Sequence, residues 1–140
     1  MNETVQIKTP WLASKDPEVP STLNYSTLSM CGRVEEMVRQ YPNYIAYEFM
    51  GKTTTYAEMW QKINACAKSL KAIGIREGDK VTICMPNAPQ TLCMFYAVNM
   101  VGAIANMVHP LSAESEISFY LRDSNSVAAI TLDQFYPKFE

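Results

Sequence analysis

Gly78-Asp79-Lys80-Val81-Thr82-Ile83-Cys84-Met85-Pro86-Asn87 sets the architecture of this 140-residue chain. A turn at Glu77-Gly78-Asp79 leads into Lys80 to Met85, a short run rich in β-branched residues that suits a buried strand. Pro86 and Asn87 close the strand, and Asn87 is expected to cap a helix from Ala88 to Met100. Leu92, Phe95, Tyr96 and Val98 fall on several faces of that helix, so it should be largely enclosed. Ala103 to Val108 reads as a second buried strand. Ser112 is expected to cap a helix through Arg122, with Glu114 and Glu116 at its positive end and Arg122 at its negative end. Val127 to Thr131 is a third strand, and Asp133 is expected to cap a final helical turn or more. Strands alternating with helices imply right-handed crossovers and a mainly parallel sheet.

Upstream, Tyr44 to Phe49 and Lys52 to Thr55 flank Met50-Gly51, a two-residue connection suited to a β-hairpin. The next helix opens on a capping box, Thr55 with Glu58. Its apolar stripe is Tyr56, Met59, Ile63, Cys66, Ala67, Leu70 and Ile73, and Gly74 stops it. A first helix is predicted from Met30 to Gln40, capped by Ser29 and ended by Pro42, with Met30, Val34, Met37, Val38 and Tyr41 on its packing face. Residues 1–29 read as an extended arm, because Pro10, Pro17 and Pro20 discourage helix, with Trp11, Leu12 and Tyr25 as anchors. Residues 30–140 then form one partial α/β domain: flanking helices on a mainly parallel sheet, plus the hairpin.

Apolar residues are 48% of the chain and charged residues 19%, a balance that argues for a packed globule rather than disorder. The net charge is −2, from 12 basic and 14 acidic residues without a basic stripe, so no nucleic-acid partner is expected. The N-terminus lacks the apolar core of a secretory signal, and no apolar run reaches the roughly 20 residues of a membrane span. Cys31, Cys66, Cys84 and Cys93 show no Cys-x-x-Cys spacing, and His109 is the lone histidine. Reduced, mostly buried thiols and no metal site are expected.

Met50-Gly51-Lys52-Thr53 contains the Gly-Lys-Thr that ends a phosphate-binding loop. That motif needs glycine at the position held by Ala46, and a helix directly after the loop, where Lys52 to Thr55 reads as a returning strand. The hairpin reading of Lys52 is preferred. His109 follows a strand at an edge where α/β proteins often place ligands, yet no base or metal partner stands near it in sequence. It is read as a structural turn residue.

Taken in order, these pieces resemble the opening segment of the adenylate-forming acyl-CoA synthetases. Thr54-Thr55-Tyr56-Ala57-Glu58-Met59 is similar to the family's T-Y-x-E-L helix start. Gly78-Asp79-Lys80-Val81 is similar to its G-D-R-V, and Met85-Pro86-Asn87 to its L-P-N. Gly102-Ala103 matches its G-A, and His109-Pro110-Leu111 stands where many members have N-P-L. Ile117, Tyr120, Leu121 and Asp123-Ser124 continue the likeness, which spans Tyr44 to Thr131. In the arm, Trp11, Asp16-Pro17-Glu18-Val19-Pro20 and Tyr25 resemble the leader of long-chain fatty-acid CoA ligases.

The resemblance implies the first part of a large N-terminal domain. Its parent would join a carboxylic acid, here a fatty acid, to coenzyme A through an acyl-adenylate, using ATP and Mg2+ and releasing AMP and pyrophosphate. The family's phosphate loop is rich in Ser, Thr and Gly and ends in Pro-Lys. Pro137-Lys138 is the one such pair, and it follows Asp133-Gln134-Phe135-Tyr136 instead. No catalytic, cofactor-binding or metal-binding residue is therefore carried over. The segment alone is expected to be inactive and to bind none of these cofactors. The parent is expected in the cytoplasm, with attachment to a membrane surface left open. The arm has two docking choices, its own domain or a partner subunit, the second giving a homodimer. The alternative is a free-standing, non-catalytic α/β binding or assembly module.

Overall fold

The computed structural model describes residues 8–139. Helix α1 spans Met30–Gln40, strands β1 and β2 span Ile45–Phe49 and Lys52–Thr55, and helix α2 spans Tyr56–Ala72. Strand β3 (Lys80–Cys84), helix α3 (Pro89–Val101), strand β4 (Ile104–Met107), helix α4 (Glu114–Ser124) and strand β5 (Ala128–Thr131) follow. Two 3-10 helices, Pro10–Ser14 and Asp133–Phe139, flank this series.

The alternation produces the parallel sheet it predicts. β3 lies in the middle, pairing in parallel with β4 on one side and β5 on the other. β1 and β2 form a separate antiparallel hairpin. At its turn both Met50 and Gly51 have positive φ, 51° and 78°, as a two-residue turn matched to strand twist requires.

The period-two rule assigns the faces of β3. Val81 and Ile83 are fully buried among Ala67, Leu70, Ala97 and Val98 of α2 and α3. Cys84 packs on the opposite side, with Ile117 of α4 and Val108. Thus α3 and α4 cover opposite faces. Full burial of each of Ile63, Ile83 and Ile117 contributes about 1.5–3 kcal/mol.

On the α4 side, the buried Thr82 hydroxyl shares a hydrogen bond with Ser126 Oγ at 2.8 Å and accepts one from Asn106 Nδ2 at 2.9 Å. Asn106 Nδ2 also donates to Ser124 Oγ at 3.1 Å. These bonds join β3, β4 and the end of α4. A register slip would leave them unpaired, so the network favours one alignment.

Local signals account for several ends. Ser29 Oγ accepts from the Gly32 amide at 3.1 Å. Thr55 and Glu58 form the complete capping box: the Glu58 amide donates to Thr55 Oγ1 and the Thr55 amide to the Glu58 carboxylate. α3 ends at Gly102, where φ is 85° and an added Cβ would lie 3.1 Å from Glu77 Cγ. Both the backbone and the close approach demand glycine there.

Other expectations are corrected. Asn87 does not cap α3. Ala88 holds that position without a side-chain bond, and Pro89 begins the helix with its φ already set. Ala113, not Ser112, precedes α4, and its amide donates to the Glu116 carboxylate at 2.9 Å. Ile73 is 71% exposed, because it follows the last residue of α2 and so leaves the buried stripe. α1 is seated by buried Cys31, whose Sγ donates to the Tyr96 carbonyl at 3.1 Å, while Met30 and Tyr41 remain exposed. The arm is not wholly extended, since Pro10–Ser14 makes a 3-10 helix started by Pro10. Trp11 and Tyr25, expected as anchors, are exposed.

Candidate functional site

Open α/β sheets hold ligands beyond the carboxyl ends of their strands, where successive crossovers diverge. Here β3 connects to β4 on one side, and β4 returns past β3 to β5. The point of divergence therefore lies between the ends of β3 and β5. It is bridged: Thr131 Oγ1 donates to the Cys84 carbonyl at 3.0 Å. Phe139, from the 3-10 helix Asp133–Phe139, packs on Cys84, Val108 and Ile117.

Lys138 completes this closure. Its ammonium donates to the carbonyls of Pro110 at 3.0 Å and Ser112 at 2.8 Å. A lysine held by two backbone acceptors is committed to the fold. His109 sits on the same loop, exposed, and its Nδ1 accepts from the Leu111 amide at 3.2 Å. That bond shapes the turn and engages no titratable partner.

On the opposite side, a cleft of about 370 Å3 separates β1 from the start of α3. Tyr47, Phe49, Phe95 and Met107 supply its apolar walls, and Glu48, Asn87 and Thr91 its polar ones. Thr91 Oγ1 is turned away to the Pro86 carbonyl at 2.6 Å. The cleft can receive an apolar side chain or ligand, and it contains no acid–base pair. Its parts come from three distant stretches, so no local motif marks it in the sequence.

The structure does not gather the residues weighed in the sequence. Lys52 is exposed on β2, at the start of the returning strand. Among the four free thiols, Cys31, Cys84 and Cys93 are buried and Cys66 is half-buried. Burial raises the pKa of each above the ordinary cysteine value. Among the described residues, no group of three or more His, Cys, Asp or Glu is arranged to hold a metal. No helix among them is long and apolar enough to cross a membrane.

A family profile described as AMP-binding enzyme matches residues 34–139. The Long-chain-fatty-acid–CoA ligase of Bacillus subtilis is 31% identical over 134 residues, covering 96% of this chain and 24% of that protein. The Long-chain-fatty-acid–CoA ligase FadD13 of Mycobacterium tuberculosis is 42% identical over 76 residues, or 54% of this chain and 15% of that one. The chain thus spans a quarter or less of these relatives. Among solved structures, the inhibitor-bound N-terminal domain of FACL13 from Mycobacterium tuberculosis superposes with a TM-score of 0.72 at 33% identity. That match covers 76% of this chain and 27% of the other. The N-terminal subdomain of NpsA from Klebsiella oxytoca, at 24% identity and a TM-score of 0.71, shares the fold.

Proposed function

The chain belongs to the AMP-binding enzyme family, and on that footing we propose that it is the N-terminal segment of an ATP-dependent acyl-CoA ligase acting on fatty acids. The parent would adenylate the carboxylate, release pyrophosphate, and pass the acyl group to the thiol of coenzyme A. One observation carries this reading: the B. subtilis fatty-acid ligase aligns with 96% of the chain, arm included.

The residues present do not fit the nucleotide. Lys138, in the chain's one Pro-Lys pair, spends its ammonium on two backbone carbonyls and is not free to meet phosphate. Among the described residues no acidic cluster suits Mg2+, and no buried side-chain nitrogen or oxygen lacks a partner that a ligand would supply. We therefore assign the ATP, Mg2+ and coenzyme A sites to other parts of the parent, and read this segment as scaffold without activity of its own. The parent is read as a cytoplasmic enzyme, and the exposed arm as a contact between its subunits.

Fatty-acid-dependent exchange of labelled pyrophosphate into ATP tests both claims. The full-length polypeptide should catalyse the exchange and the isolated 140 residues should not. Exchange by the isolated segment would overturn its scaffold role. A natural polypeptide of only this length, found by immunoblot of source cells, would instead favour a free-standing binding module.

A further inference from the structure

Lys62 and Cys66 stand one turn apart on α2, facing Gln90, Cys93 and Met94 on α3. With Tyr47 and Pro89 these side chains line a single cavity of about 300 Å3. Cys93 is buried in a cluster with Met59 and Ile63, and half-buried Cys66 packs directly against that cluster. Two thiols and one thioether thus border the same half-open cleft. Cys31 is occupied with the Tyr96 carbonyl, and Cys84 lies on the other side of the sheet.

We propose that Cys66 and Cys93, with Met94 as a weaker third ligand, form a binding site for a soft monovalent metal ion of the copper(I) or silver(I) kind. Thiolate and thioether sulfur favour such ions over harder ones. A closed tetrahedral zinc site would need further thiol, imidazole or carboxylate ligands, and no third such group joins these two among the described residues. Binding balances as two thiols plus one monovalent cation giving a bis-thiolate complex of net charge minus one and two released protons. Lys62, which lines the same cavity and donates to Tyr47 Oη at 3.3 Å, supplies the positive charge that this complex attracts; a divalent ion would leave it neutral and forgo that attraction. The ion would tie α2 to α3 across their seam.

Silver(I), which undergoes no redox cycling here, is the probe to use on the full-length polypeptide. Alkylation of Cys66 by iodoacetamide would be followed peptide by peptide with one equivalent of silver(I) present or absent. Silver should slow Cys66 alkylation in the wild type and in Cys84→Ala, and the protection should be lost in Cys93→Ala. No protection in the wild type, or equal protection in Cys93→Ala, overturns the paired site. Because Cys93 is buried and its variant can fail to fold, Cys66→Ser provides the second reading. Silver should raise the melting temperature of the wild type and not of Cys66→Ser; an equal rise in both overturns the proposal.

Discussion

Glu58 shows how one side chain couples pH to this fold. The Thr55 amide and then the Thr55 hydroxyl bond its carboxylate, and with a smaller pull from Lys62 they hold its pKa below the usual carboxylate range against a slight opposing effect of burial. A folded-state pKa below the unfolded value gives stability that is full above about pH 4.3 and is lost as pH falls through the folded value. Glu58→Gln preserves the capping geometry and removes the titration. Its urea midpoint should therefore fall less on acidification than that of the wild type; parallel acid limbs would contradict the assignment. Met50 offers a change of opposite sign. It is exposed with φ 51°, a conformation that methionine tolerates poorly and asparagine well. Met50→Asn creates the favoured Asn-Gly turn and should stabilise the chain by about 1 kcal/mol in urea unfolding. No gain would show that Met50 carries no such strain. Thr55 and Glu58 were legible in the sequence because a capping box is complete within four residues. Asn87 and Ser112 misled, because Pro89 with its preset φ starts α3 after Ala88, and the Glu116 carboxylate caps the Ala113 amide ahead of α4.

β4 is an edge strand, Ile104-Ala105-Asn106-Met107, without a charge or proline to discourage further pairing. Ile104 and Met107 are 53% and 52% exposed beside this edge. The isolated segment should therefore self-associate, and Ile104→Lys with Met107→Lys should lower its weight-average mass in sedimentation while leaving its secondary structure intact. An unchanged mass would place the association elsewhere. The existence of β4 was readable from its flanks, Gly102-Ala103 and His109-Pro110, which stop a helix and a strand. Its position at an edge was not, because chain order does not say on which side of β3 a crossover lands. The packing stripes were partly readable in the same way. Met59, Ile63, Ala67 and Leu70 of α2 are buried as their spacing predicts, whereas Cys31 rather than Met30 seats α1. On that short helix both residues fit an apolar stripe, and contact with Tyr96 of α3 makes the choice.

The arm tests how the molecule is assembled. Trp11, Leu23 and Tyr25 are 62%, 61% and 83% exposed, so residues 8–29 bury little apolar surface against the domain. Deleting residues 1–28, which leaves the Ser29 cap of α1 in place, should change the unfolding free energy of the segment by no more than about 0.5 kcal/mol. If the arm joins subunits, the same deletion should convert the parent from dimer to monomer in light scattering; a dimer that survives would remove the arm from the interface. By itself the sequence determined the order of helices and strands, the hairpin, the capping box of α2, the parallel sheet and the family. Each of these depends on neighbours a few residues apart, or on the order in which such local pieces follow. Only the tertiary structure decided that Phe139 packs on Cys84, Val108 and Ile117 while Lys138 holds the Pro110–Ser112 loop, and that Cys66 and Cys93 border one cavity. Those pairings join residues far apart in the chain, and they arise where packed helices and strands bring their buried faces together, which no local period encodes.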